Sequence, residues 1–191
     1  MDESIGYATI ASMKYTDVTE IISAFKNTKA LIIDIRNYPF EYTIIDSYFV
    51  SKSTPYAKFT IGNIDNPGEF KFCLTNTITN SAESYKGKLI VIVNEITQSW
   101  AETLTMAFRA GLNTTIIGSA TAGANGNVSN INLPGGLQTR ISGIGVYYPN
   151  GKETQRVGNV PDVWVEPTIE GIREGRDELL EKAVALINEE K

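Results

Sequence analysis

The stretch Lys88-Leu-Ile-Val-Ile-Val-Asn94-Glu-Ile-Thr-Gln-Ser99-Trp-Ala-Glu102, continuing Thr-Leu-Thr-Met-Ala-Phe-Arg109-Ala-Gly111, decides the fold. Leu89 to Val93 is an unbroken apolar run rich in β-branched residues, the pattern of a strand buried on both faces. A short polar turn follows. Leu104, Ala107 and Phe108 then recur at helical spacing, and Gly111 marks the stop. A buried strand hands over to a helix at Ser99. Such a junction can present a hydroxyl at the end of a sheet, beside the unpaired N–H groups of a helix start.

Upstream, Ile5 to Ala11 reads as a strand, and Thr16 or Asp17 can cap a helix running through Phe25 with Ile21, Ile22 and Phe25 inward. Ala30 to Arg36 reads as a second buried strand with Asp34 and Arg36 at its end, completing a βαβ unit with parallel pairing. Pro39 breaks it. The patterns then weaken. A short helix is expected over 42–50, strands over 56–61 and 69–74 around Asn66-Pro67-Gly68, and a polar surface loop over 75–85.

Downstream, Thr114 to Gly118 is another parallel-type strand, and Ser119 to Gly126 is a loop of small residues. Residues 127–142 read as a hairpin about Pro134-Gly135-Gly136, and 145–157 as a second about Asn150-Gly151. Val160 to Val165 is extended, and 168–172 makes a helical turn. Asp177 to Glu189 is an amphipathic helix with Leu179, Leu180, Ala183, Leu186 and Ile187 inward. The expectation is one mixed α/β domain spanning residues 1–191.

Composition narrows the function. The net charge of −5, with no basic run, argues against nucleic acid as a partner. No apolar run approaches the ~20 residues that span a bilayer. The Met1-Asp2-Glu3-Ser4 start lacks the charge and apolar segment of a signal peptide, so the chain is either cytosolic or a mature domain from a longer exported protein. There is no histidine and one cysteine, Cys73, which excludes an internal disulfide, any Ser-His-Asp or Cys-His scheme built from this chain alone, and makes zinc improbable. No cofactor or metal is expected. Gly123-Ala-Asn-Gly126 lacks Gly-Lys-Ser/Thr and leads into no helix, so it is not a phosphate loop.

Ser99 has two readings. Ser99-x-x-Glu102 is a capping box, in which the serine hydroxyl takes a helix N–H and the glutamate takes the serine N–H. As a nucleophile, Ser99 needs a base and oxyanion donors, of which the Trp100 amide is one candidate. Lys86, Lys88 and Lys152 are substitute bases only if burial lowers a pKa well below ~10.4. Asp34 and Arg36 are read as a structural ion pair. Tyr147, Tyr148 and Trp164 are read as strand packing, and Cys73 as buried or incidental.

Asn94-Glu-Ile-Thr-Gln-Ser99-Trp-Ala-Glu102 resembles the nucleophile segment of the C-terminal-processing (tail-specific) serine peptidases, a family that includes tricorn-type peptidases and interphotoreceptor retinoid-binding proteins. Three further segments agree in order. Leu31-Ile-Ile-Asp34-Ile-Arg36-Asn37 resembles the family's Asp-Leu-Arg strand end. Ile117-Gly118-Ser-Ala-Thr121-Ala-Gly123 resembles its Gly-x-x-Thr-x-Gly turn. Tyr148-Pro-Asn-Gly151 with Gly158-Asn-Val160-Pro161-Asp162 resembles its late hairpin and Pro-Asp signature. The tail from Pro167 is similar to that of the Bacteroidetes branch.

The resemblance implies a ClpP/crotonase-like α/β core with parallel strands, late β-hairpins and a C-terminal helix. It also implies an exported, periplasmic or cell-envelope protein with an N-terminal or PDZ part beyond this chain; a cytoplasmic location stays open. By resemblance Ser99 matches the nucleophile, Glu102 the supporting glutamate and Trp100 one oxyanion donor. The second donor falls at Phe40 or Glu41, where the family has paired glycines. Asn94, Gly123, Ala124 and Gln155 fall in the site loops. Ala124 stands where Ser-Lys members carry lysine, and Gln155 where tricorn-type members carry glutamate. The implied function is endopeptidase acyl transfer on a polypeptide substrate, the base coming from a missing segment or another chain. The alternatives are a silent homologue that binds a peptide or small ligand, and a structural domain of a larger assembly or homo-oligomer.

Overall fold

The structure, a computed structural model, describes residues 3–39, 41 and 44–189. Strands β1 (Ile5–Thr9), β2 (Ala30–Asp34), β6 (Lys88–Val93), β7 (Thr114–Gly118) and β11 (Val163–Trp164) form one sheet in the order β1-β2-β6-β7-β11. Every pairing in it is parallel. Alternation along the strands builds two cores. Leu31, Ile33, Leu89, Val91 and Val93 face helices α1 (Val18–Phe25) and α2 (Trp100–Arg109). Ala30, Ile32, Ile90 and Ile92 face the C-terminal helix α4 (Glu178–Glu189), through Leu179, Ala183 and Ile187. A strand covered on both sides has no polar face, which is why these runs are continuous rather than alternating.

A second, antiparallel sheet joins β10 (Val146–Tyr147), β3 (Thr54–Gly62) and β4 (Phe70–Phe72), with β5 (Asn76–Ile78) also pairing β3. The expected hairpin about Pro134 forms as β8 (Val128–Asn132) and β9 (Gln138–Ser142). The expected helical turn is α3 (Ile169–Glu174), capped by Thr168, whose hydroxyl accepts from Gly171 N–H. Among the described residues no helix is long and apolar enough to cross a membrane.

Several expectations change. The helix over 42–50 is a 3-10 turn at Ile45–Phe49, and Tyr42 and Thr43 lie outside the described residues. The 75–85 loop contains β5, because Ile78 buries against Val50 and Ala107 and brings its neighbours to the edge of β3. The second hairpin has one bridge, Tyr147 to Glu153, closed about Asn150-Gly151 by Tyr148 N–H donating to the Lys152 carbonyl at 2.9 Å, and the other edge of β10 pairs with Phe59 and Lys58. Asp17 does not cap α1; its carboxylate accepts from Lys14 N–H and closes the preceding 3-10 turn. Cys73 is exposed rather than buried. Trp164 is 57% exposed, since alternation along β11 turns its neighbours Val163 and Val165 toward the α4-side core and Trp164 away from it.

Gly118 closes β7 where it must be a glycine. Its φ is +124°, and a Cβ there would lie 1.8 Å from the Val93 carbonyl oxygen. This close approach of β6 and β7 brings the 119–126 loop alongside the start of α2.

Candidate active site

The turn between β6 and α2 is held from inside. The Asn94 side-chain oxygen accepts from Ile96 N–H at 3.3 Å, an Asx turn, and Thr97 is buried beneath it. The Thr97 hydroxyl accepts from Asn94 N–H at 3.1 Å and reaches the Ile35 carbonyl at 3.2 Å, while Ala122 N–H donates to the Thr97 carbonyl at 2.9 Å. The Thr97 side chain thus joins the ends of β2 and β6, and its backbone carbonyl ties them to the loop after β7.

Ser99 follows with φ 54° and ψ −119°. Positive φ in a residue with a Cβ is a sparsely populated conformation that costs about 1–3 kcal/mol. It is the backbone of a sharp strand-to-helix elbow, which thrusts the side chain outward. The capping box closes on its glutamate side only. The Glu102 carboxylate accepts from Ser99 N–H at 3.0 Å, but the Ser99 side chain makes no cap hydrogen bond. The N–H groups of Glu102 and Thr103 go to the Ser99 carbonyl instead, at 2.9 and 3.1 Å.

Glu102 is fully buried. Its Oε1 accepts from the Thr121 hydroxyl at 2.6 Å and Gly123 N–H at 2.9 Å. Its Oε2 accepts from Ser99 N–H at 3.0 Å and Ala124 N–H at 2.9 Å. Four donors fill the lone-pair sites of one carboxylate. Asn159, also buried, extends the network. Its N–H donates to the Thr121 hydroxyl at 2.7 Å, its side-chain amide donates to the Glu102 carbonyl at 2.8 Å, and its oxygen accepts from the Tyr148 hydroxyl at 2.6 Å. Burial pushes the Tyr148 phenol above its ordinary range.

Ser99 opens onto a cleft of about 630 Å³ walled by Gly123, Ala124, Gln155, Tyr147 and the β8–β9 hairpin. It also borders a smaller pocket of about 250 Å³ lined by Tyr38, Tyr56, Phe59 and Trp100. Of the residues singled out from sequence, Ser99, Gly123, Ala124 and Gln155 line the cleft together, and Glu102 lies beneath them. Gln155 is a structural tie: its amide nitrogen donates to the Asn125 and Ile144 carbonyls at 2.8 and 2.9 Å. A carboxylate there could accept but not donate.

Other singled-out residues sit elsewhere. Asn94 faces a separate cavity of about 270 Å³ with Arg36, Glu95 and Ser119. The Glu41 carboxylate accepts from Tyr15 N–H at 2.9 Å, and Phe40 lies outside the described residues. Asp34 and Arg36 form the expected ion pair at 2.6 Å, and Arg36 also meets Asp177 at 2.6 Å at the start of α4. These carboxylates hold the Arg36 guanidinium above its ordinary range, with Asp34 the main cause. None of Lys86, Lys88 or Lys152 lines either cavity beside Ser99. Asp162, of the Pro-Asp segment, pairs with Arg109 at 2.6 Å and accepts from Ile116 N–H at 2.8 Å, fastening β7 and α2 together. Sequence reasoning missed Thr97, Asn125 and Asn159, whose roles depend on partners distant in the chain.

The fold has counterparts among solved structures. A candidate peptidase from Parabacteroides merdae ATCC 43184 superposes with a TM-score of 0.83 at 24% identity, over 98% of this chain and 62% of that one. Mature CPAF complexed with lactacystin gives 0.75 at 17%, over 97% and 52%. The tricorn protease gives 0.62 at 23%, over 97% and 18%. At these identities the likeness is one of fold, and it is the expected ClpP/crotonase-like arrangement. The chain spans less than two thirds of the length of each of these three structures. No curated protein sequence matches it. The model of peptidase family S41 matches residues 4–165, most of the chain, and the chain belongs to that family of serine peptidase domains.

Proposed function

We propose that this chain is the core of a serine-type endopeptidase of the C-terminal-processing kind, working by acyl transfer at Ser99. The observation that supports this most is the positive-φ elbow at Ser99, with its side chain uncommitted to the helix cap and opening onto a cleft. A serine that only capped the helix would sit at extended backbone angles and spend its hydroxyl on a helix N–H. In the reaction the Ser99 oxygen bonds to the carbonyl carbon of the scissile amide, and its proton passes to a base. The oxyanion is met by the Trp100 N–H and a backbone N–H near Phe40 or Glu41. The C–N bond breaks and the amine leaves with the proton. Water then attacks the ester, releasing the new carboxylate and restoring Ser99. Glu102 is a positioning residue that fixes the Ser99 backbone to the 121–124 loop.

The base comes from a segment outside these 191 residues or from another chain, since the sequence has no histidine and Ala124 takes the lysine position. In the first case the chain is one part of a longer protein, and we propose an exported, cell-envelope one acting on polypeptides. A second reading is a cleft that binds peptides without cutting them. Ala124 and Gln155, neither able to take a proton, favour it.

The test is fluorophosphonate labelling of this chain and of a longer protein containing it. Labelling at Ser99 in the longer protein, abolished by Ser99→Ala, is the expected result. No labelling in either, with peptide still binding the cleft, would overturn the peptidase reading in favour of the second.

A further inference from the structure

The cleft beside Ser99 is positively charged in an acidic protein. Its lining includes Arg140, Arg156 and a single carboxylate, Glu153, against a net charge of −5 for the whole chain. Arg156 and Glu153 are 3.6 Å apart with side chains 86% and 53% exposed, so they neutralise each other weakly. Arg140 sits on β9 opposite Asn130 and forms no ion pair among the described residues. Glu102 lies beneath the loop with its oxygens occupied by four donors, so it does not compete for these arginines.

The backbone under Arg156 adds a second observation. Its φ is +65°, a left-handed conformation in which glycine or asparagine is the usual occupant. The turn is clasped there. Arg156 N–H donates to the Gly123 carbonyl at 2.7 Å, and Gly123 leaves no room for a Cβ, which would meet the Arg156 backbone at 2.9 Å. The loop that carries Ala124 therefore grips the residue that carries the Arg156 guanidinium. That guanidinium is held at the rim of the same cleft as Ser99, on a backbone that arginine favours poorly.

We infer that this cleft selects peptides carrying a carboxylate close to the bond presented to Ser99, read by Arg140 and Arg156. Two planar guanidiniums lining one cleft suit a carboxylate, which each can meet through paired N–H donors. The shared chemistry has two sources: an acidic side chain within the peptide, or the free carboxylate of a chain end. This deepens the proposed function and rests on the cleft being where a peptide lies. It does not need cleavage to be tested.

The experiment uses the 191-residue chain carrying Ser99→Ala and three decapeptides of otherwise neutral sequence, each labelled at its N-terminus with an uncharged BODIPY dye. One has a central Glu and an amidated end, one a central Gln and an amidated end, and one a central Gln and a free carboxylate. Anisotropy at low and high salt reads their affinities. One or both carboxylate peptides should bind about fivefold tighter than the neutral one at low salt. That ratio follows from one to two exposed charge pairs and should shrink as salt screens them. Whichever carboxylate peptide is preferred identifies the source. The Arg140→Gln/Arg156→Asn double variant, which puts a residue tolerant of left-handed backbone at 156, should bind all three alike. Equal affinities in the parent chain, a preference that survives the double variant, or no binding up to 1 mM of any peptide would each overturn the inference. Fluorophosphonate labelling of Ser99 with no carboxylate preference would sink this inference alone and leave the peptidase reading standing.

Discussion

Replacing Glu102 by glutamine tests whether one buried carboxylate holds the site together. The two side chains have nearly the same shape, so packing is kept and only hydrogen bonding changes. Glutamine offers one accepting oxygen and turns the other position into an NH2 donor. With the NH2 at the Oε2 position, it meets the N–H groups of Ser99 and Ala124, and both lose their acceptor. With the NH2 at the Oε1 position, the Thr121 hydroxyl can rotate and accept, but Gly123 N–H is orphaned and the hydroxyl loses its own acceptor. Either orientation leaves about one to two unsatisfied polar groups at about 1–3 kcal/mol each, so the expected loss is about 3 kcal/mol. That is a large part of the roughly 5–15 kcal/mol that a domain has. With a urea m-value of about 2 kcal/mol/M, the unfolding midpoint should fall by about 1.5 M. Amide exchange at Gly123 and Ala124 should quicken as well. Glu153→Gln, which removes an exposed partner of Arg156, is the control and should change stability by about 0.5 kcal/mol or less. A Glu102→Gln midpoint within ~0.2 M of the parent, with exchange at Gly123 unchanged, would refute the four-donor account.

Three more outcomes are expected. Gly118→Ala should destabilise by about 3 kcal/mol, because its Cβ meets the Val93 carbonyl, whereas Gly151→Ala, at φ +87° with open space around it, should lose only about 1 kcal/mol; equal losses in thermal melts would count against the close-approach argument. Ser99→Gly should be more stable than Ser99→Ala by about 0.5–1 kcal/mol, since only glycine relieves the positive φ and its unfolded-state entropy offsets part of the gain; the reverse order in urea would remove the elbow strain from the account. Burial pushes the Asp46 carboxyl from 3.8 up to about 6, so the folded state binds this proton more tightly than the unfolded one. Its contribution is present below pH ~4 and is lost as pH rises through ~6, to a total of up to about 3 kcal/mol, and Asp46→Asn should flatten that part of the stability–pH curve.

The parallel sheet was legible in the sequence because Leu31–Ile33 and Leu89–Val93 are buried on both faces, and short, β-branched apolar runs of this length suit such strands. The start of α2 was legible for the same local reasons. What escaped was decided at a distance. Ile78 marks a strand through contacts with Val50 and Ala107, and nothing in its polar neighbours signals this. Val146 and Tyr147 look like one arm of a hairpin, and nothing local shows that their other edge pairs a strand more than eighty residues back. At the site, Ser99-x-x-Glu102 supports two readings, and the backbone angle of Ser99 that bears on them is not visible in the sequence. Thr121 was reachable as part of a Gly-x-x-Thr-x-Gly pattern. Thr97 and Asn159 were not, because a buried threonine or asparagine looks the same on paper as a surface one.

The wiring of Glu102 also sets the order in which the molecule can be completed. When synthesis has reached residue 120, the chain holds Ser99 and Glu102, but of the four donors to that carboxylate it has made only Ser99 N–H. Thr121, Gly123 and Ala124 follow at once, but Asn159, which locks Thr121 and the first turn of α2, emerges some sixty residues after Ser99. Closing so wide a loop comes late relative to local helix formation. The elbow is therefore finished only after nearly the whole domain has left the ribosome, and a nascent or truncated chain carries its serine in an unassembled turn.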